Sequence, residues 1–404
     1  MDDWVAVADA ADVTTTPRGV IVDGHRIALV RLGAGEPVRA FLDRCPHRLV
    51  PLSAGVVEGG RLRCAYHGWE FGADGACAVI PSLGPDARLP PRAHVDPVAG
   101  VREDAGRVLI RVGDLDARRT GLLTNVDRAL RRAWHPVALV AELSAGPAQV
   151  RLLGQGWAVR RTVDGFSADP PPYGVRERWG LVWLAPEEPL VDLFDEPDAE
   201  DAAYVGAWLP PARTPAPAGF VADNFLDVAH FPFVHAGTFG AAEEKVVPSY
   251  EVTPEPDGCR MVQEQWFDNP ADPGVAAGLR PVRQRRRATY VWRAPFQLLL
   301  RLEELDAGAV KTILFLVQPE AVTSTRIYTK MLLRGIGGVA RPGPDVVAAE
   351  VAFEEAVLAE DLALQARLTL PGLPLDPGGE LHVRADRLGI ALRRELKRFV
   401  ERAR

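Results

Sequence analysis

The sequence predicts an α+β protein: two consecutive antiparallel β regions, then a C-terminal antiparallel sheet wrapped by helices. Three observations carry this. A chain of 404 residues exceeds one ordinary core and calls for two or three domains. Its first half consists of short alternating or apolar runs bounded by Gly, Asp and Pro, the pattern of small β domains. Its second half sets strand-like runs between two helical patterns. Hydrophobic content of 47% and charged content of 25% are those of a soluble globular chain. A formal charge of −7 and a pI near 5.7 argue against nucleic-acid binding, which needs a basic face. The densest basic run, "RPVRQRRR" (280–287), reads as a solvated strand edge or a partner contact rather than a nucleic-acid site. No apolar run approaches the ~20 residues that span a bilayer. The start, "MDDWVAVADA", lacks the basic and apolar regions of a signal peptide, and four Cys do not make a disulfide scaffold. A reducing cytoplasm, with no membrane or nucleic-acid partner, is the expectation.

The first region, residues 1–115, carries strand patterns at 4–13, 19–32, 37–45 and 106–113. Between the last two lies "CPHRLVPLSAGVVEGGRLRCAYHGW" (45–69), which spends two of the four Cys and two of the eight His in one stretch. The pattern is Cys45-x-His47, sixteen residues, then Cys64-x-x-His67. Short pairs of this kind let two side chains of one tight loop reach a single metal centre, and two facing loops supply four ligands. A structural zinc site is the alternative, but zinc fingers repeat like pairs, and here one pair is C-x-H and the other C-x-x-H.

"CPHR" and "CAYHGWEF" resemble the Rieske iron–sulfur domain over about residues 4–112. The resemblance implies a 2Fe–2S cluster, with Cys45 and Cys64 on one iron and His47 and His67 on the other. High-potential members of that family resemble each other in an extra Cys near each pair and in a Ser and a Tyr that hydrogen-bond to sulfur. Trp69 and Phe71 stand where those hydroxyls would be, so a low reduction potential is expected. Cys77 and Cys259 read as ordinary buried thiols.

After a linker at 116–132, polar at both ends and partly helical, the chain begins again. Residues 133–165 resemble the opening strands of a second Rieske domain and 170–189 its closing strands, with the cluster region reduced to "FSAD" (166–169). Residues 133–195 therefore read as a degenerate Rieske-like β segment without cluster ligands. The alternative is the first strands of the last domain. His135, the one His between His94 and His230, is a surface or core histidine under either reading.

Residues 196–404 form the last domain. "GFVADNFLDVAHFPFVHAGTFG" (219–240) carries Asp227 and His230, i, i+3 neighbours on a helix, and His235, about 140° further round. Pro232 offers a kink that brings His235 back. From this segment alone, two core histidines fit as well as two ligands. The pattern D-x-x-H-x-x-x-x-H resembles the mononuclear iron site of the Rieske non-haem iron oxygenases. That resemblance makes His230 and His235 ligands of Fe(II), and makes Asp227 the carboxylate linking the iron site to a cluster histidine of a neighbouring subunit. The family's Glu-Asn before this motif appears as Asp223-Asn224.

The third ligand is sought on a long helix at 346–372, where Phe353, Val357 and Asp361 share one stripe and put an acid in an apolar position. A buried carboxylate is costly unless a metal compensates it. "EDLALQ" resembles the family's E-D-x-x-x-x-Q, which favours Asp361; Glu360 competes and Glu354 is a weaker choice. The strand-like runs at 288–305, 310–320 and 324–335 lie between the two ligand-bearing helices. In this region Trp266, Tyr290, Trp292, Phe296 and Phe315 could line a pocket, although each taken singly reads as core.

The resemblance implies an oxygenase that uses O2 to hydroxylate, demethylate or otherwise oxidise an apolar or aromatic small molecule. No G-x-G-x-x-G motif is evident, so NAD(P)H acts only through a separate ferredoxin or flavin reductase, which would reach the cluster at exposed His47 and His67. A head-to-tail homotrimer follows from the family architecture. The rival readings are a Rieske electron carrier fused to a small-molecule-binding domain without active iron, and a zinc-stabilised scaffold.

Overall fold

The computed structural model describes residues 4–22, 24–98, 100–111, 121–239, 245–268 and 273–404; residues 116–120 of the expected linker lie outside them. The chain opens with β1 (Trp4–Asp9), a 3₁₀ turn (Ala10–Asp12), β2 (Arg18–Val22), β3 (His25–Val30) and β4 (Arg39–Leu42). A small lobe of β5 (Val56–Glu58), β6 (Arg61–Arg63), β7 (Glu70–Phe71) and β8 (Cys77–Val79) follows, then β9 (Val101–Asp104) and β10 (Arg107–Arg111). The strands form the sheets β1-β10-β9 and β2-β3-β4, with the lobe as a third sheet, β5-β6-β7-β8. Val22, Ile27, Leu29, Val108 and Ile110 fill the space between the first two.

The same order recurs. After β11 (Leu122–Thr124) and a 3₁₀ turn (Arg128–Arg132) come β12 (His135–Leu139), a 3₁₀ turn (Val140–Leu143), β13 (Ala148–Leu152), β14 (Gln155–Thr162), β15 (Gly165–Asp169), β16 (Gly174–Arg178) and β17 (Leu181–Ala185). They pair as β12-β17-β16 and β13-β14-β15, matching the first unit strand for strand. The closing hairpins match as well, with Ala105 and Gly106 at φ 45° and 76°, and Trp179 and Gly180 at φ 60° and 85°. Such paired positive φ values belong to the two-residue turn whose twist suits a hairpin. What is missing is the lobe: 43–100 separates β4 from β9, whereas only 170–173 separates β15 from β16. "FSAD" is therefore not the remnant of the cluster region but part of strand β15, because the lobe is inserted one connection later.

The last region is an eight-stranded antiparallel sheet. Its strands are β18 (Val205–Trp208), β19 (Ala212–Thr214), β20 (Val252–Glu255), β21 (Gly258–Asp268), β22 (Arg283–Arg293), β23 (Gln297–Glu304), β24 (Ala309–Ala321) and β25 (Ser324–Arg334). The helices of the described residues are α1 (Ala218–Phe225), α2 (Phe231–Val234), α3 (Pro273–Ala276), α4 (Pro344–Gln365) and α5 (Arg387–Ala403). β26 (Gly372–Pro374) pairs with β11 and ties this region to the linker. The basic run enters β22, which lies between β21 and β23 and is not an edge; Arg285, Arg286 and Arg287 are matched by Asp306, Glu304 and Glu264. The helix expected at 346–372 ends at Gln365, short of the Pro371-Gly372 pair where β26 begins. No helix among the described residues is long and apolar enough to cross a membrane.

Alternation along β24 explains why the run "VKTILFLVQPE" is apolar almost throughout. Phe315 and Val317 face the main core with α1, whereas Leu314 and Leu316 face Trp179, Leu181 and Trp183 of the second β unit. A strand covered on both faces reads as a continuous apolar run. The second unit is fixed there by Leu153 and Gly154, whose N–H groups donate to Pro319 and Glu320 O at 2.8 Å, and by an Arg326–Glu142 pair at 2.5 Å.

Candidate metal centres

Cys45 and Cys64 open two loops of the same construction. In each, the Cys N–H donates to the carbonyl five residues on, Val50 or Trp69, at 2.9 Å. In each, the Cys carbonyl accepts from the residue four on, Leu49 at 2.9 Å or Gly68 at 3.1 Å. Both of those residues take a left-handed backbone, φ 60° at Leu49 and 63° at Gly68. This turns each loop back on itself and aims its Cys and His the same way. Both thiols are buried and unpaired as disulfide. Cys64 is lowered to about 7, chiefly by its hydrogen bond with Cys45, while burial pushes Cys45 up. The pair thus already favours one thiolate, the form in which sulfur ligates metal.

Each histidine of the set spends its outer nitrogen on a carboxylate. His47 Nε2 lies 2.9 Å from Asp386 Oδ1, and His67 Nε2 lies 2.7 Å from Asp227 Oδ2. His47 Nδ1 is buried with no hydrogen-bond partner among the described residues, which leaves it free to ligate. A carboxylate behind the imidazole fixes the tautomer and raises ligand basicity. These donors fit a cluster held by two Cys and two His. Trp69, at a position expected to lack a hydroxyl, stacks instead on His47 with ring centroids 4.6 Å apart. The expectation of exposed cluster histidines is corrected: His47 is 1% and His67 3% exposed, because the lobe packs onto α1, α2 and the start of α5. Gly68 permits this approach, since a Cβ there would lie 2.2 Å from the Phe233 ring.

Arg48, from "CPHR", sits at the centre of the contact. Its guanidinium lies 3.2 Å from Asp386, 3.6 Å from Asp223 and 3.9 Å from Asp227. Arg393 of α5 bonds Asp223 at 2.6 Å and Glu380 at 2.7 Å. Burial alone would raise Asp386; the His47 ring and Arg48 instead hold it well below the usual carboxylate range. Asp227 is depressed in the same way by His67 and His230.

The second set is His230, His235 and Asp361, whose ligand atoms lie within 4.8 Å of one another. The two Nε2 atoms are 3.0 Å apart, and Asp361 Oδ1 is 3.4 Å from each. Donor atoms about 2.1 Å from one ion and at right angles to each other are about 3 Å apart, so this triangle fits one face of an octahedral ion. The local structure differs from the expected kinked helix. α1 stops at Phe225, Asp227 lies in the following turn, and His230 and His235 cap the two ends of the one-turn helix α2. Ending the helix, rather than bending it at Pro232, is what lets residues five apart converge. Although burial works against its charge, Asp227 and Asp361 raise His230 to about 9.

Glu360, the competing ligand, serves the site from behind: it accepts from His235 Nδ1 at 3.0 Å and from Thr238 at 2.7 Å. Glu354 pairs with Lys311 at 3.0 Å, away from the triad. Asn224 donates to Asp361 at 3.2 Å and accepts from Gln365. The expected stripe on α4 does not hold, since Phe353 is 40% exposed and Asp361 is half-buried. Of the aromatic candidates, Tyr290 and Phe315 meet Phe225 beside the iron motif, Trp292 and Phe296 are core, and Trp266 is 54% exposed. His135 is a core histidine donating to Leu130 O at 2.7 Å. Burial raises both Cys77 and Cys259 to about 12, as for inert thiols.

Asp227 joins the two sets, with one oxygen 2.7 Å from His67 and the other 3.9 Å from His230 Nδ1, an ionic contact beyond hydrogen-bond reach. Tyr66 lies alongside, its ring centroid 4.0 Å from His67 and 5.7 Å from His230. The link expected to a neighbouring subunit has a counterpart within one chain, where His67 Nε2 and Asp227 Oδ2 lie 2.7 Å apart. Asp386 lies in no motif and had no signal in the sequence; Arg48 and Gln365 lay within the quoted motifs without an assigned role.

Residues 3–97 match the Rieske [2Fe-2S] domain family, and residues 214–402 match the vanillate O-demethylase oxygenase C-terminal domain. A Rieske [2Fe-2S] domain followed by an oxygenase C-terminal domain is the pairing of the Rieske oxygenases to which this chain is similar, and such domains imply a 2Fe–2S cluster and a mononuclear iron. It is similar to the protein TIC 55, chloroplastic, of Arabidopsis thaliana, 46% identical over 79 residues, 20% of this chain; the match spans only 14% of that protein's length. It is 28% identical over 273 residues to a probable methylxanthine N7-demethylase, NdmC, of Pseudomonas sp. (strain TJI-51), covering 65% of this chain and 92% of that one. Among solved structures, NdmA of Pseudomonas putida CBB5 with caffeine aligns over 98% of this chain and 90% of that chain at 20% identity and TM-score 0.45.

Proposed function

We propose that this protein is the oxygenase component of a multi-protein system. It takes electrons from a separate ferredoxin or flavin reductase and uses O2 to demethylate or hydroxylate an apolar or aromatic small molecule in the cytoplasm. The observation that carries the reading is Asp227, which stands between a two-Cys, two-His set and a two-His, one-carboxylate set. An electron carrier without active iron has no use for the second set, and a zinc scaffold has none for the link.

In this reading Cys45, Cys64, His47 and His67 hold the cluster, and His230, His235 and Asp361 hold Fe(II), which supplies the place where O2 is activated. Asp227 connects them, Glu360 orients His235, and Asn224 with Gln365 orients Asp361. Phe225, Tyr290 and Phe315 give the substrate side an apolar wall. Residues 1–115 are the cluster domain, 116–132 the linker, 133–195 the cluster-less β unit and 196–404 the catalytic domain. Removal of an N- or O-methyl group is favoured by the family match over 214–402 and by the name of the Pseudomonas relative.

The test combines metal analysis with turnover. The purified protein should contain the cluster and a third iron per chain, and should take up O2 only with a reductase and a substrate from a panel of N- and O-methylated aromatics. Demethylation should release formaldehyde. His230→Ala should keep the cluster and lose both the third iron and turnover; Asp227→Ala should keep both centres and lose turnover. Normal turnover in Asp227→Ala, or a protein holding the cluster iron alone, ends this reading.

A further inference from the structure

We propose that the route between the two metal-binding sets closes within a single chain, so that one polypeptide is the complete working unit. The cluster-less β unit makes this possible by occupying the far face of the catalytic sheet. The inference rests on the functional reading above but draws on other observations.

The first is the burial of the link. With His67 3% exposed and 2.7 Å from its own Asp227, and His47 1% exposed and 2.9 Å from its own Asp386, no carboxylate of another copy can reach either ring. The second is the extent of the contact that holds them there. Leu381 N–H donates to Pro46 O at 2.8 Å and Val247 N–H to Ser82 O at 3.2 Å. Arg384 reaches Leu83 O at 3.2 Å, and buried Arg48 knits the lobe to carboxylates of α1 and the α5 start. One hydrophobic core runs from Phe41, Leu62 and Trp69 of the cluster domain into Phe220, Val221 and Leu388 of the catalytic domain.

The third observation explains the arrangement. A sheet of this kind has two faces to cover. Leu314 and Leu316 pack on the second β unit, and Phe315 and Val317 face the core that α1 shares with the cluster domain. The second unit repeats the strand order of the first, yet brings no Cys and no cluster lobe. It supplies an apolar cover, which frees the cluster-bearing copy to close over the iron motif of the same chain. Copies that associate would add no residue to either set.

The decisive experiment follows chain identity instead of turnover. Ser82→Cys and Val247→Cys, introduced together, place a thiol on each side of the contact and away from both metal sets. Equal amounts of ¹⁴N- and ¹⁵N-labelled double variant are mixed, partly unfolded, refolded with metals and oxidised, and the disulfide-linked peptides are read by mass spectrometry. Pairs should be light–light or heavy–heavy only. Mixed light–heavy pairs as abundant as the like pairs overturn the proposal.

A second arm needs no new thiols: Cys45→Ala, which lacks the cluster, is co-expressed with His230→Ala, which lacks the iron. The mixture should stay as inactive as either variant alone, whereas recovered turnover means that clusters serve irons of other chains. If the wild type itself shows neither third iron nor O2 uptake, the functional reading fails, but the isotope result still decides which chain meets which.

Discussion

Arg48 is the residue on which the contact between the two centres can be tested most directly. Its side chain is 2% exposed and lies within 4 Å of Asp386, Asp223 and Asp227, three carboxylates that burial would otherwise neutralise. In Arg48→Met the hydrocarbon stem is kept and the charge removed. Arg393 is then the arginine left to serve Asp223 and Glu380, and Asp227 and Asp386 lose theirs. Breaking a buried ion pair from one side costs about 3–5 kcal/mol, because the remaining charge stays buried and unpaired. For a chain of 404 residues unfolding as one unit that lowers the apparent melting temperature by roughly 4–6 °C. Asp386→Asn in the same chain should recover about 1–3 kcal/mol of the loss, the coupling expected for neighbours in one network. Arg48→Lys should fall between, since an ammonium cannot serve three carboxylates in the plane of a guanidinium. The assay is thermal unfolding of the metal-loaded protein, followed by cluster absorbance and by circular dichroism. The carboxylates also set the acid limit. Their depressed values mean that their contribution is complete above about pH 4 and lost only as pH falls through the lower native values, so Arg48→Met should unfold at a higher pH than wild type. A loss under about 1 kcal/mol would show that the lobe does not dock on α1 and α5 as described.

Three further outcomes follow from the sites. Glu360→Gln keeps an acceptor for His235 but removes the charge behind it, and should weaken metal binding at the triad about 10–100-fold while leaving the cluster spectrum unchanged; a competition titration with Co(II) reads this. In metal-free protein His230, raised to about 9, holds a proton that a metal must displace. Apparent metal affinity should therefore gain up to about tenfold per pH unit between 6.5 and 9, then level off; a flat profile contradicts the assignment. The same shift contributes stability to the metal-free protein that is full below about 6.5 and disappears as pH rises through about 9. Gly68→Ala forces a side chain onto a backbone at φ 63° and toward the Phe233 ring, costing at least about 1–2 kcal/mol; adding Phe233→Ala should recover the steric part but not the backbone part, as read by thermal unfolding.

Much of the chemistry is legible in the residues themselves. Metal-binding side chains at short spacing announce themselves, because two ligands on one turn must be close whatever the rest of the chain does. Cys45 with His47, Cys64 with His67, and His230 with His235 are visible in this way. So is the β character of both early units, since alternation reports one covered face. Local geometry is less legible. His230 and His235 look incompatible on a regular helix, and the chain solves this by ending α1 at Phe225 and placing one histidine at each end of α2.

The paired Cys and His candidates and the repetition of the β unit are thus written in residue types over short distances, and reading along the chain suffices to find them. Which group stands behind each candidate ligand is decided only when the elements pack. Asp386 is 339 residues from His47, Asp227 is 160 from His67, and Glu360 meets His235 from behind while its neighbour Asp361 joins the two histidines. Contacts across such separations are fixed by how whole faces meet. Covering both sides of one sheet is a property of the assembled fold, not of any segment within it.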